Sequence, residues 1–157
     1  MRRRWGVLAL CAAAFPAFAQ SPEVTVPSQF ATAHTIFLAS GGAAPLGNNK
    51  EGAAMLYSSA YKALSSGRYR LTTTPAEADL SAVISIDAGF SDVTNGSSFE
   101  HPFVRLAVFD TKTQALLWNI DEAIGGAFRK ATFQKNIDET MAKVIADLSS
   151  LAAGKLP

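Results

Sequence analysis

Leu80–Phe90, LSAVISIDAGF, is the stretch on which the fold turns. Ile84, Ile86, Ala88 and Phe90 recur at every second position, while Val83, Ser85 and Asp87 occupy the alternate ones. That is the period of an extended strand, not of a helix. One side is apolar throughout and the other becomes more polar along the strand, so a core is expected on one face only. Two further runs follow, Phe103–Asp110 (FVRLAVFD) and Ala115–Ile124 (ALLWNIDEAI), joined by Thr111–Gln114. A four-residue connection between two such runs predicts a hairpin. In it Val104, Leu106 and Val108 face Leu116, Trp118 and Ile120, which places Trp118 on the apolar side. Ser91–Pro102, SDVTNGSSFEHP, reads as the polar loop leading into the hairpin.

Outward from these strands the period changes. Phe133, Ile137, Met141, Val144, Ile145, Leu148 and Leu151 form the stripe of a long amphipathic helix that ends near Gly154, reached through Gly125–Lys130. On the N-terminal side Ala53, Leu56, Tyr57, Ala60, Tyr61 and Leu64 make a second stripe, with Tyr57 and Tyr61 read as core residues whose hydroxyls reach the boundary. Asn48 and Glu51 fit an N-terminal capping box, and Gly67 stands where a left-handed cap would close this helix. Arg68–Thr73 reads as a short strand and Thr74–Asp79 as a turn opened by Pro75. Thr35–Ala39 is the first strand and Ser40–Asn49, SGGAAPLGNN, a glycine-rich loop. Strand, helix, strand and then a meander closed by a helix give an α/β (α+β) fold. The expectation is a two-layer sandwich: a mixed four- to five-stranded sheet with two amphipathic helices on one face.

The chain begins as exported proteins do. Arg2, Arg3 and Arg4 precede the apolar run Trp5–Phe15, and Ala17-Phe18-Ala19 offers small residues before Gln20. Residues 1–19 therefore read as a cleavable signal peptide with Ala17, Ala19 and Gln20 at the cleavage point. The apolar run is too short to span a bilayer, which takes roughly 20 residues. Leu8-Ala9-Leu10-Cys11 resembles a lipidation box, but Leu10 is not small and Cys11 lies close to the arginines, so lipid anchoring is not expected. Residues 20–33 read as a tether or loosely docked segment, and residues 34–154 as a single domain. Removing residues 1–19 takes three of the fourteen basic residues, leaving eleven against thirteen acidic ones, a net charge of −2. Such a balance offers no footprint for nucleic acid. Cys11 is the only cysteine, so the processed chain has no disulfide and no thiol nucleophile.

Sites for chemistry are few. Gly42 and Gly47 have the spacing of a phosphate-binding loop, but Asn48 and Asn49 stand where a lysine and a hydroxyl are needed. His34 and His101 lie on different elements with no tight ligand spacing, so no metal or other cofactor is expected. Glu100 and His101, beside Ser97 and Ser98, form the best candidate for a small exported hydrolase or ligand-binding enzyme. No G-x-S-x-G elbow or orienting partner accompanies them. Asp121 and Glu122 are adjacent on a strand and so point to opposite faces, a poor arrangement for an acid–base pair.

Ser66-Gly67-Arg68-Tyr69 at the end of the first helix, Ala78-Asp79-Leu80 opening a strand, and Val108-Phe109-Asp110-Thr111-Lys112-Thr113 followed by Leu117-Trp118 resemble a family pattern. It is that of the small β-α-β-β-β-α envelope domains similar to the TolB N-terminal domain and to the curli-channel and penicillin-binding-protein-activator lipoproteins, over residues 34–152. The resemblance implies a non-enzymatic periplasmic module that docks other envelope proteins, and it carries no active-site residue. The expected function is thus that of an interaction or adaptor module in the periplasm or outside the cell. Its candidate surfaces are the sheet edges and the loops at 40–50 and 91–102, with Gly41, Gly42, Asn48, Glu100 and His101 as the residues to watch. A secreted structural protein without a specific ligand is the third reading.

Overall fold

The computed structural model describes residues 24–43, 50–90, 100–126 and 129–157. A short helix α1 (Gln29–Thr32) leads into strand β1 (Thr35–Ala43), helix α2 (Lys50–Ser65) and strand β2 (Arg70–Thr72). After a 3-10 turn at Pro75–Glu77 come β3 (Leu80–Phe90), β4 (Glu100–Asp110), β5 (Leu116–Ala123) and helix α3 (Lys130–Ala152). The sheet has five strands in the order β2-β1-β3-β4-β5. β1 is parallel to both β2 and β3, and β3, β4 and β5 form an antiparallel meander. The expected mixed sheet with helices packed on it is what the chain forms.

The period-2 pattern sets which face is buried. Ile36 and Leu38, Ala82, Ile84 and Ile86, Val104, Leu106 and Val108, and Ile120 line the inner face. Against them pack Leu56, Ala60 and Leu64 of α2 and Ile137, Met141, Val144, Leu148 and Leu151 of α3. At about 1.5–3 kcal/mol for each large apolar side chain, this inner layer is the main source of stability. The apolar residues of β4 and β5 do share a face, but two residues out of the expected register: Leu106 stands opposite Ile120, Val108 opposite Trp118 and Val104 opposite Glu122. A register shift between Val108 and Phe109 then sets Phe109 opposite Leu116. That shift leaves Leu116 52% exposed, and Trp118 is half-buried against the edge of the core.

Several boundaries differ from the sequence reading. The strand read as Thr35–Ala39 runs on to Ala43, so Gly41 and Gly42 belong to β1 and not to a loop. A β-bulge shifts the β1–β3 register between Ser40 and Gly42, and Gly42 takes φ +92°, which suits glycine. A Cβ at Gly41 would stand 3.0 Å from Val83 Cγ1 and 3.1 Å from the Ser85 Cβ, so the missing side chain permits the close approach. Glu100, His101 and Pro102 likewise belong to β4, paired with Phe90, Gly89 and Ala88, where a loop was expected. Tyr61 is 50% exposed and not a core residue. The buried face of α2 is turned toward Ser59, whose hydroxyl donates to Asp138 Oδ1 of α3 at 2.6 Å, and this turns Tyr61 outward.

Gly67 closes α2 with its N–H donated to the Leu64 carbonyl at 2.9 Å, but it does not adopt the left-handed conformation expected of it. Gly154 does, with φ +73°. There Gly154 N–H reaches Leu151 O and Lys155 N–H reaches Ser150 O, both at 2.9 Å, the paired bonds of a Schellman end to α3. The segment read as a tether is docked at its C-terminal end. Phe30 and Ala33 lie in the core, and the Tyr69 hydroxyl donates to the Phe30 carbonyl at 3.0 Å. Asn48, Ser91–Phe99 and the cleavage residues Ala17, Ala19 and Gln20 lie outside the described residues.

Candidate functional site

Because the inner face takes one half of each strand, the alternate residues face the other way: Phe37 and Ala39, Val83, Ser85 and Asp87, Phe103, Arg105, Ala107 and Phe109, Asn119 and Asp121. Arg105 stands at the middle of this outer face. Its Nε donates to Asp121 Oδ1 at 2.8 Å and its Nη2 to Asp121 Oδ2 at 2.9 Å, a two-pronged grip on the residue directly opposite in register. On the other side its Nη1 lies 3.4 Å from Asp87 Oδ2, and the Ser85 hydroxyl donates to the same oxygen at 3.2 Å. The guanidinium carbon is 5.0 Å from the centre of the Phe103 ring. Hydrogen bonding to Asp121 raises the affinity of Arg105 for its proton, so the cation is permanent.

The three side chains form an Asp–Arg–Asp ladder across β3, β4 and β5, between 33% and 43% exposed. Exposed pairs of this kind stabilise a fold by about 0–1 kcal/mol. A fixed, charged, planar group amid half-exposed Phe103 and Phe109 is therefore better suited to recognition than to holding the sheet together. Chemically it can present a polar grip within an apolar surround. With Arg105 already bonded to two carboxylates, it offers no free general acid or base.

The residues of the sequence pattern have a separate, structural duty. Asp79 Oδ2 accepts bonds from His34 N–H at 2.9 Å, Thr35 N–H at 3.0 Å and the Thr35 hydroxyl at 2.9 Å. The backbone N–H of Asp79 donates back to Thr35 Oγ1 at 2.9 Å. These bonds, the His34 N–H first, hold the Asp79 carboxyl below the usual range. Arg68 donates to Ala152 O at 3.1 Å and to Ala31 O at 2.6 Å, tying the ends of α3 and α1 together. Burial pushes the Tyr69 hydroxyl above its ordinary pKa, against the opposing effect of Arg68. Asp110 accepts from Thr113 N–H at 2.7 Å and from its hydroxyl at 3.0 Å, closing the hairpin turn.

The sequence candidates scatter. Gly41 and Gly42 sit on β1 beside the β3 end of the ladder, with Gly42 paired to Ser85, but bring no side chain to it, and Glu100 and His101 occupy the start of β4. Asp121 takes part in the ladder, whereas Glu122 points the other way, opposite Val104. Among the described residues no group of three or more His, Cys, Asp or Glu side chains could hold a metal ion, and no helix is long and apolar enough to cross a membrane. Sequence reasoning missed Arg105, because its partners lie on separate strands. The signal was present as polar residues at the outward positions of three consecutive alternating runs, and it needed only the register to be read.

Fold and ladder together define a two-layer α/β domain with one sheet face that no helix covers among the described residues. The sequence matches no family model and no curated protein. Among solved structures the fold is similar to PelC from Paraburkholderia phytofirmans. A point variant of the PelC dodecamer aligns with TM-score 0.53 at 14% identity, covering 73% of this chain and 88% of that one. The PelC dodecamer in a second crystal form aligns with TM-score 0.52 at 14% identity, covering 73% and 86%. A protein from Caulobacter crescentus CB15 assigned as a lipoprotein aligns with TM-score 0.47 at 17% identity, covering 83% and 96%. At these identities the likeness is one of fold.

Proposed function

We propose that this protein is a non-enzymatic interaction module of the bacterial cell envelope that works by docking, onto other envelope proteins and onto copies of itself. One observation carries the reading: the helices cover one face of the sheet, and the other presents Arg105, fixed between Asp87 and Asp121, beside half-exposed Phe103 and Phe109. An open face of this kind is a binding surface in search of a cover. The dodecameric state of the PelC proteins supports self-association as part of the function. The likeness of Ser66–Tyr69 and Ala78–Leu80 to the TolB-type domains supports an adaptor role in the periplasm, reached after cleavage before Gln20.

The test is affinity capture of the tagged, exported protein. The wild type should recover a specific envelope protein in stoichiometric amount, and Arg105→Glu should lose it while retaining the wild-type circular dichroism spectrum. Equal recovery by both would overturn the reading. The rival hydrolase at Glu100 and His101 predicts instead a turnover that His101→Ala abolishes.

A further inference from the structure

The sheet has two unfinished edges, one at each end. At one end β2 covers only the first part of β1: it stops at Thr72, opposite Phe37, while β1 continues to Ala43. Arg70 N–H donates to the His34 carbonyl at 2.9 Å, so the even-numbered residues of β1 direct their main chain to this side. Leu38 O is met by the Tyr57 hydroxyl at 3.4 Å, and Ser40, which is exposed, has no strand beside it on this side among the described residues. A cavity of about 200 Å³ opens where β2 ends, lined by Phe37, Tyr57, Tyr61, Leu71 and Thr72 among others.

At the other end β5 is the last strand, and its outer side is bare among the described residues. Ile124 N–H donates to the Pro102 carbonyl at 2.9 Å, so by alternation Asn119 and Asp121 turn their main chain outward. The exposed large apolar residues of the described chain are Val24, Tyr61, Leu116 and Leu156. Two of these four mark the two edges: Tyr61 at the notch beside β1 and Leu116 on β5.

Resting on the docking reading above, we infer that one copy of the chain lays its β5 strand into the notch beside β1 of the next copy, in line with β2, so that the sheets join edge to edge. The occupant has to be an extended strand, because the open groups at the notch are main-chain donors and acceptors. A second copy fits because the same chain carries the missing strand. β5 spans eight residues, against six of β1, Leu38–Ala43, beyond the end of β2. The pairing brings exposed Leu116, at the start of β5, toward the tyrosine-lined cavity at the end of β2, and the rest of β5 then runs along β1 with Asn119 near Ser40. Edges left open in this way otherwise invite uncontrolled aggregation. The contact is head-to-tail, so it repeats until a ring closes or a filament extends.

The test uses the full chain with Cys11→Ala, which removes the native thiol, carrying either S40C or N119C. A short thiol–thiol cross-linker should join S40C chains to N119C chains in a mixture, in excess of the self-linked products of either alone. Asn119→Pro, which deletes an outward N–H without touching the β4 pairing, should abolish both the product and the larger species in sedimentation velocity. Tyr61→Glu should do the same from the other edge. Predominant S40C–S40C or N119C–N119C products, or an assembly insensitive to both edge variants, would overturn the inference. A protein that stays monomeric would also overturn it, while capture of a partner lost with Arg105→Glu would leave the docking reading standing.

Discussion

Replacing Asp79 tests whether the junction between α1, β1 and β3 is held electrostatically. One carboxylate oxygen accepts three hydrogen bonds of 2.9–3.0 Å from His34 and Thr35. Bonds to a charged acceptor contribute about 1.5–3 kcal/mol each when shielded from water. The side chain is exposed and its three bonds share one oxygen, so solvent screening brings the set down to about 2 kcal/mol for Asp79→Ala. Asp79→Asn keeps an acceptor and should cost about 1 kcal/mol. Urea unfolding at neutral pH measures both. The pH dependence adds a sign: the folded carboxyl is held below the unfolded value of about 3.9, so its contribution is complete above that value. It is lost as pH falls through the depressed folded value, and the gap between wild type and Asp79→Asn should close in acid. Equal stabilities at neutral pH, or a gap unchanged in acid, would refute the reasoning.

Phe30→Ala should destabilise the protein by about 3–5 kcal/mol in thermal or urea unfolding, since a fully buried ring is removed; no loss would mean that the segment before β1 is undocked. Met141→Ala, at the centre of α3, should cost about 2–5 kcal/mol by the same measurement. Arg105→Ala should cost under about 1 kcal/mol, because its ion pairs are partly exposed, and a much larger loss would make the ladder structural. Mass spectrometry of the exported protein should find Gln20 at the N-terminus; an acylated cysteine there would identify Cys11 as a lipid anchor.

What could be read from the sequence follows from periodicity. β3 runs from Leu80 to Phe90 as its alternation dictates, and the stripe of α3 buries Ile137, Met141, Val144, Leu148 and Leu151. Residues whose role depends on partners far along the chain were harder to read. Gly41 and Gly42 look like loop residues locally, yet β3 offers them a continuing edge and a bulge absorbs the misfit. Pro102 looks like a strand breaker, but its carbonyl still receives Ile124 N–H, and it lies near the start of β4 where a missing donor costs little. Phe30 has no periodic neighbours to betray its burial. Arg105 lay in plain view within FVRLAVFD, but its importance depends on Asp121, sixteen residues on, and on Asp87 across the other neighbouring strand. Asp79 is the reverse case: the Ala78-Asp79-Leu80 pattern drew notice as a family likeness, and its geometry shows a structural anchor.

The most direct measurement is site-specific photo-cross-linking in living cells, with the photoreactive residue placed in turn at Phe103, at Phe109 and, as a control, at the exposed Lys143 on the helical layer. Docking through the open sheet face predicts discrete protein adducts from Phe103 and Phe109 that vanish with Arg105→Glu, and none from Lys143. Adducts from Lys143 alone, or adducts from the sheet face that Arg105→Glu leaves unchanged, would contradict it.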